Sequence, residues 1–143
     1  MLSVVLTAGV LVAITVAVHA AGFGLMLRFF MNPHVPPPAQ PLAITWLLIR
    51  VTWTLILIHL VEIAVWASFY LFTESHPDAE AAFYFSGVTY TALGFGDLLL
   101  EEPWRLLAPI EALTGTIMCA LSAGLFFALV NRIVSAKPSP SQG

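Results

Sequence analysis

Three long apolar runs constrain this chain more than any other feature. They extend from Leu2 to about Phe30, from about Leu42 to Phe72 and from about Trp104 to Val134. A helix that crosses a bilayer needs roughly 20 apolar residues, so each run is long enough to span a membrane. With 59 % hydrophobic and 9 % charged residues, a soluble fold of 143 residues could not bury this much apolar surface. The first run lacks the basic start of a signal peptide, and we interpret it as a retained helix.

The few charged residues indicate an orientation. Basic residues flank the runs on one side: Arg28, Arg50, Arg132 and Lys137. Acidic residues dominate the segment between the second and third runs: Glu74, Asp78, Glu80, Asp97, Glu101 and Glu102. The positive-inside rule then places the N-terminus outside and the C-terminus in the cytoplasm. A net charge of −3 gives no indication of a nucleic-acid partner.

The segments between the runs divide the chain further. We predict an N-terminal helix over 1–30, a stiff proline-rich cytoplasmic linker over 31–41, a membrane domain over 42–134 and a disordered cytoplasmic tail over 135–143. Within the membrane domain we predict an outer helix over 42–73, a short helix over 79–91, a loop over 92–97 and an inner helix over 103–134. The short helix cannot span a bilayer, so the chain enters the membrane there and returns.

The loop sequence TALGFGD, from Thr91 to Asp97, places glycine at every second position. Glycine adopts the left-handed conformation without steric cost, and alternating conformations point successive carbonyl groups to the same side. Irregular backbone at membrane depth must be buried in protein or line a water-filled path. One subunit of three helices cannot enclose such a loop, whereas several copies around an axis can. Rings of carbonyl oxygens replace the water shell of a monovalent cation; the alternative is a plain glycine turn in a membrane hairpin.

The segment from about Phe83 to about Arg132 resembles the pore of small bacterial two-transmembrane and two-pore-type potassium channels, whose signature is usually TTVGYGD. The resemblance implies an all-α membrane protein with three transmembrane helices per subunit, a re-entrant pore helix and a selectivity-filter loop. It also implies a homotetramer surrounded by lipids in a bacterial inner membrane, with the first helix as an addition. The filter would comprise Thr91, Ala92, Leu93, Gly94, Phe95, Gly96 and Asp97.

Potassium ions would bind at the backbone carbonyls of Ala92, Leu93, Gly94 and Phe95. The sequence shows no metal-ligand cluster, nucleophile triad or phosphate loop, so we expect no other cofactor and no enzymatic activity. Ala92 replaces a threonine of the signature, which predicts a weaker innermost ion site, and Phe95 replaces a tyrosine that helps to brace the filter. Two alternatives therefore stay open: a non-selective monovalent cation channel, and a non-conducting sensor or subunit with the same fold.

Residues around the filter are predicted either to support it, as Tyr84 would, or to take part in gating, as Gly115, Glu111, His59 and Glu62 could. In the resembling channels an aromatic residue of the pore helix bonds the filter aspartate, and Tyr84 occupies the matching place for Asp97. Gly115 occupies the place of the hinge glycine of the inner helix, where glycine permits either bending or close helix crossing. Glu111 lies one turn earlier. We predict that it bonds the pore helix, or else His59 or Glu62.

The second run carries His59 and Glu62 three residues apart, on one face of a helix. Ionisable groups at this depth face protein, either as a structural pair or in gating and proton sensing. His19 is predicted to bond a neighbouring helix, with pH sensing as the alternative. A stripe of small residues also predicts close helix approach in the first run: Gly9, Ala13, Ala17 and Ala21.

Overall fold

The structure is a computed structural model that describes residues 1–30, 38 and 40–135. Most of these residues are helical. The helices are α1 (Leu2–Phe30), α2 (Pro41–Phe72), α3 (Ala79–Tyr90) and α4 (Leu107–Ser135), with a 3₁₀ turn over Trp104–Leu106. α1, α2 and the segment Trp104–Ser135 are long and apolar enough to cross a membrane. The predicted all-α membrane fold is therefore confirmed. The predicted linker falls almost wholly outside the described residues, as does the tail beyond Ser135.

Local chemistry explains where the short helix α3 begins. The carboxylate of Asp78 accepts a hydrogen bond from the backbone N–H of Ala81 at 2.8 Å, which satisfies one of the free amides of the first turn. Glu80 in that turn further complements the positive end of the helix dipole. The helix ends at Tyr90. Its 12 residues extend only about half-way through a bilayer core, at 1.5 Å per residue.

Two apolar clusters at opposite ends of the bundle hold the helices together. In the first, α3 is wedged against the other helices through Trp66, Tyr70, Phe85, Tyr90 and Leu107, all buried. In the second, α1, α2 and α4 meet without α3, through Met26, Val51, Leu55, Leu129 and Ile133. The bundle therefore opens at one end to receive α3 and the loop that follows it.

The outer surface of the bundle is apolar, and several polar side chains are inside it. Large apolar residues such as Val10, Leu57 and Phe72 are between 57 % and 90 % exposed. The buried polar or charged residues in the helices are Thr15, His19, Glu62, Ser86, Glu111, Thr114 and Ser122. This distribution is expected for a protein surrounded by lipid, where polar groups must find partners inside the protein.

The small-residue stripe of α1 does not pack against another helix of the same chain. Gly9, Ala13, Ala17 and Ala21 are all exposed. The packing face instead includes Thr15 and His19, and the indole of Trp66 donates to Thr15 Oγ1 at 3.0 Å. Close approach occurs at Gly22, where a Cβ atom would lie 2.7 Å from the Ile58 side chain. Within the protomer the buried polar partners determine which face of α1 turns inward, and the close approach of another helix to the stripe stays a prediction.

Candidate functional site

The loop after α3 has an alternating backbone. Ala92, Gly94 and Gly96 have φ values of +56°, +59° and +78°, whereas no other residue in this loop has a positive φ. The sequence predicts the left-handed conformation for the two glycines but gives no sign of it at Ala92. For a residue with a side chain this conformation costs about 1–2 kcal/mol, so the surrounding structure must hold Ala92 in it. Left-handed residues at every second position turn successive peptide planes to the same side.

The hydrogen bonds of this loop are one-sided. The backbone N–H of Ala92 donates to Thr89 O at 2.9 Å, and those of Leu93 and Gly94 donate to Val88 O at 2.9 and 3.3 Å. Within the described part of the chain, the carbonyl oxygens of residues 92–96 accept no hydrogen bond. The loop therefore fixes its amides on the end of α3 and leaves a row of carbonyl oxygens available to another ligand.

The whole loop is exposed in the single protomer. Residues 91–97 all have exposed side chains or backbone, and Leu93 and Phe95 are 58 % and 65 % exposed. A groove of about 330 Å³ lies between this loop, α3 and α4, bordered by Tyr84, Gly94 and Ala112 among others. Unpaired backbone cannot face hydrocarbon, where each unsatisfied group costs several kcal/mol. The protomer therefore needs further protein, water or ions around this loop.

Both ends of the loop are attached to α3. At one end the Thr91 hydroxyl donates to Gly87 O at 2.7 Å, which closes the last turn of the helix. At the other end the Tyr84 hydroxyl donates to the Asp97 carboxylate at 2.8 Å, the pair expected from the resemblance. Thus α3 positions the loop at both ends.

Tyr90 and Gly115 connect α3 to the inner helix α4. A Cβ atom at Gly115 would lie 2.0 Å from the Tyr90 carbonyl oxygen, much too close for any other residue to fit without movement. Of the two interpretations of Gly115, this contact supports close crossing. The glycine lets the end of α3, and hence the start of the loop, rest directly on α4.

A buried carboxylate links all four helices. Glu62 of α2 lies 2.7 Å from His19 Nδ1 of α1 and 3.0 Å from His59 Nδ1, and the Tyr90 hydroxyl of α3 donates to it. His59 Nε2 lies 3.0 Å from the hydroxyl of Ser122 in α4. The predicted pairing of His59 with Glu62 and the predicted partner for His19 are observed. Sequence reasoning missed the Tyr90 and Ser122 contacts, since residues this far apart in the chain give no local signal.

Glu111 belongs to a separate polar cluster. Its carboxylate accepts hydrogen bonds from the Tyr70 hydroxyl at 2.6 Å and from the Ser86 hydroxyl at 2.5 Å. Ser86 also lies 3.0 Å from the carbonyl oxygen of Ile63. Of the predicted partners of Glu111, the short helix is therefore the observed one. Glu111 thereby joins α2, α3 and α4 behind the loop.

The comparisons with known proteins give one match. The model of a family described as ion channel matches residues 56–132, more than half of the chain. The matched region includes the second half of α2, all of α3, the loop and nearly all of α4. No curated protein and no solved structure matches the chain.

Proposed function

The chain belongs to the ion channel family, and from this premise we propose that it forms a homotetrameric, potassium-selective channel. In this proposal four copies of the loop surround one axis, and the carbonyl oxygens of Ala92, Leu93, Gly94 and Phe95 coordinate dehydrated K⁺. The second and third spans are the outer and inner helices of the pore domain, and the first span is a peripheral addition. The protein lies in a bacterial inner membrane, with the N-terminus outside and the C-terminus in the cytoplasm. Flux is passive, and K⁺ ions bind in the filter.

The observation that carries the proposal is the one-sided hydrogen bonding of the loop. Its amides at residues 92–94 donate to α3, while the carbonyls of residues 92–96 accept nothing in the described chain. Carbonyl oxygens in a row are the ligands that replace the hydration shell of a monovalent cation in a filter. The positive φ values at Ala92, Gly94 and Gly96 support the same interpretation, since they turn these peptides to one side.

The exposure of the loop supports several copies around an axis. Phe95 is 65 % exposed and Leu93 is 58 % exposed, and both belong to the loop that carries the unpaired carbonyls. In a tetramer these side chains pack against neighbouring subunits while the carbonyls face the axis. The unpaired backbone groups of the loop then do not face lipid.

Electrostatics supports cation over anion passage. The C-terminal end of α3, at Tyr90, precedes the loop directly, and a helix carries roughly half a negative charge at this end. Asp97 contributes a carboxylate at the other end of the loop, and it is exposed. A path between two negative regions attracts cations.

One observation favours the alternative of a non-selective cation channel. Ala92 supplies a carbonyl but no hydroxyl at the innermost position, and it holds a strained φ of +56°. A looser inner site would discriminate less between K⁺ and Na⁺. The other alternative, a non-conducting subunit, predicts the same fold without flux.

Ion flux through the purified full chain in lipid vesicles tests the proposal. Under opposed K⁺ and Na⁺ gradients the reversal potential should follow K⁺, and Gly96→Ala should abolish the current because its φ of +78° is strained for alanine. Gly24→Ala is the matched control, since no atom lies within 4 Å of the added methyl group. Equal permeability to both ions would support the non-selective channel, and no current under any condition would contradict conduction.

A further inference from the structure

We propose that His19, His59 and Glu62 form a binding site for a divalent transition metal of the Zn²⁺ class between α1 and α2. The site lies next to Tyr90, the last residue of α3. It is separate from the carbonyl row of the loop, and it goes beyond the proposed potassium conduction. The sequence gives no metal-ligand cluster here because His19 lies 43 residues from Glu62.

The geometry of the ligand atoms suits a small metal ion. One ligand atom from each residue lies within 4.8 Å of those from the other two. Glu62 offers one carboxylate oxygen 2.7 Å from His19 Nδ1 and the other 3.0 Å from His59 Nδ1. Ligands about 2.0–2.2 Å from a tetrahedral Zn²⁺ are about 3.3 Å apart, so small side-chain movements bring these atoms to coordinating positions.

The surroundings complete the site. The Tyr90 hydroxyl lies 3.1 Å from His59 Nδ1 and donates to Glu62, so it is close enough to the cluster for it or a water molecule to supply a fourth ligand. The other ring nitrogen of His59 lies 3.0 Å from the Ser122 hydroxyl. Such an outer contact fixes the orientation and the tautomer of a metal-binding histidine. His19 is oriented by its ring contact with Phe23 at 4.3 Å, and its Nε2 has no hydrogen-bond partner within the described residues.

The ligand set selects the class of metal. Two imidazoles and one carboxylate suit Zn²⁺ and similar transition metals, whereas Ca²⁺ and Mg²⁺ prefer oxygen ligands alone. Glu62 is fully buried within a membrane-spanning helix, where an isolated negative charge is costly. A bound divalent cation compensates this charge. The alternative to metal binding is a metal-free hydrogen-bonded network in which His19, His59 and Tyr90 all contact the Glu62 carboxylate.

The cluster also has an opening. The His59 side chain keeps 18 % of its surface exposed. It borders a groove of about 480 Å³ together with Thr52, Ser122 and Phe126. The cluster is therefore not fully enclosed in the single protomer.

Metal binding to the full chain in detergent tests this proposal without any measurement of ion flux. After treatment with a chelator, the protein should bind about one Zn²⁺ per protomer, with affinity at least about tenfold weaker in His19→Gln. His76→Gln is the matched control, because His76 lies outside the cluster, and it should bind as the unaltered chain does. The proposal is overturned if the chain binds no Zn²⁺, or if His19→Gln binds it equally well.

A second measurement uses only the unaltered chain, so it still tests the site if His19→Gln fails to fold. Co²⁺ bound to the unaltered chain should give the intense visible absorption of a four-coordinate site. The weak spectrum of hydrated Co²⁺ would contradict the site. Both metal measurements use protein in detergent and no ion flux. Absence of metal binding therefore does not contradict conduction, and absence of conduction does not contradict metal binding.

Discussion

A Cβ atom at Gly115 would lie 2.0 Å from the carbonyl oxygen of Tyr90. Tyr90 ends α3, and the loop of unpaired carbonyls begins immediately after it. The hydroxyl group at the far end of the Tyr90 side chain donates a hydrogen bond to Glu62. One residue therefore anchors the start of the loop to α4 through its backbone and to α2 through its side chain.

Replacing Gly115 with alanine should destabilise the protein. The added methyl group meets backbone, which cannot rotate away, so we expect a loss of about 1–3 kcal/mol, typical of overpacking. Thermal unfolding in detergent measures this loss. Gly124→Ala in the same helix is the control, since no atom lies within 4 Å of its added methyl group. Equal stability of both variants would contradict the close crossing.

Removing the Tyr84 hydroxyl should loosen the outer end of the loop with little effect on global stability. The Tyr84–Asp97 hydrogen bond at 2.8 Å is exposed, so Tyr84→Phe should cost no more than about 0.5–1.5 kcal/mol. Its current should nevertheless decline faster during sustained conduction than that of the unaltered chain. Recordings from vesicles compare the two. An unchanged time course would show that Asp97 does not hold the loop.

The Glu111 cluster should be a major source of stability. Removing the Ser86 hydroxyl leaves the buried Glu111 carboxylate with one hydrogen bond fewer, which costs about 1–3 kcal/mol. Ser68→Ala is the control, because its exposed hydroxyl bonds only the carbonyl of Ala64 in its own helix. Unfolding midpoints should therefore fall for Ser86→Ala and stay nearly constant for Ser68→Ala. Similar midpoints would argue against a stabilising role for the cluster.

His76, in the segment between α2 and α3, should make stability depend on pH. Burial lowers the pKa of its imidazole below the ordinary value of 6.5, and its ring centroid lies 4.7 Å from that of Phe85. Below pH 6.5 the unfolded chain binds a proton here that the folded chain resists, so stability is present above this pH and is lost as pH falls.

The variant His76→Phe separates this effect from that of other titrating groups. It keeps an aromatic ring in the same space but cannot bind a proton. Between about pH 7.5 and pH 5.5, its unfolding midpoint should fall less than that of the unaltered chain. A fall of the same size in both proteins would contradict the assignment to His76.

Much of this fold could be predicted from the sequence for simple physical reasons. Apolar runs longer than a bilayer is thick predict the spans, and a capping residue such as Asp78 predicts the start of the short helix. Each is a local property of the chain. The predicted boundaries of α2 and α3 therefore differ from the observed ones by about one residue.

The contacts between distant residues could not be predicted in the same way. A face of a helix follows from spacing, but its partner does not: the small-residue stripe of α1 predicts a close helix contact without saying which helix makes it. The meeting of His19 with Glu62 depends on the packing of α1 against α2. The positive φ of Ala92 had no signal at all, because alanine does not favour that conformation.

The central claim is that carbonyl oxygens of residues 92–95 from four protomers coordinate potassium along one axis. The most direct test is the anomalous scattering of Tl⁺, a K⁺ substitute, in crystals of the full chain. We expect peaks on a fourfold axis between successive carbonyl planes, with the innermost peak, at Ala92, weaker than the others. The claim would be contradicted if the four loops were separated with no Tl⁺ peak on the axis, or if the assembly had no central pore.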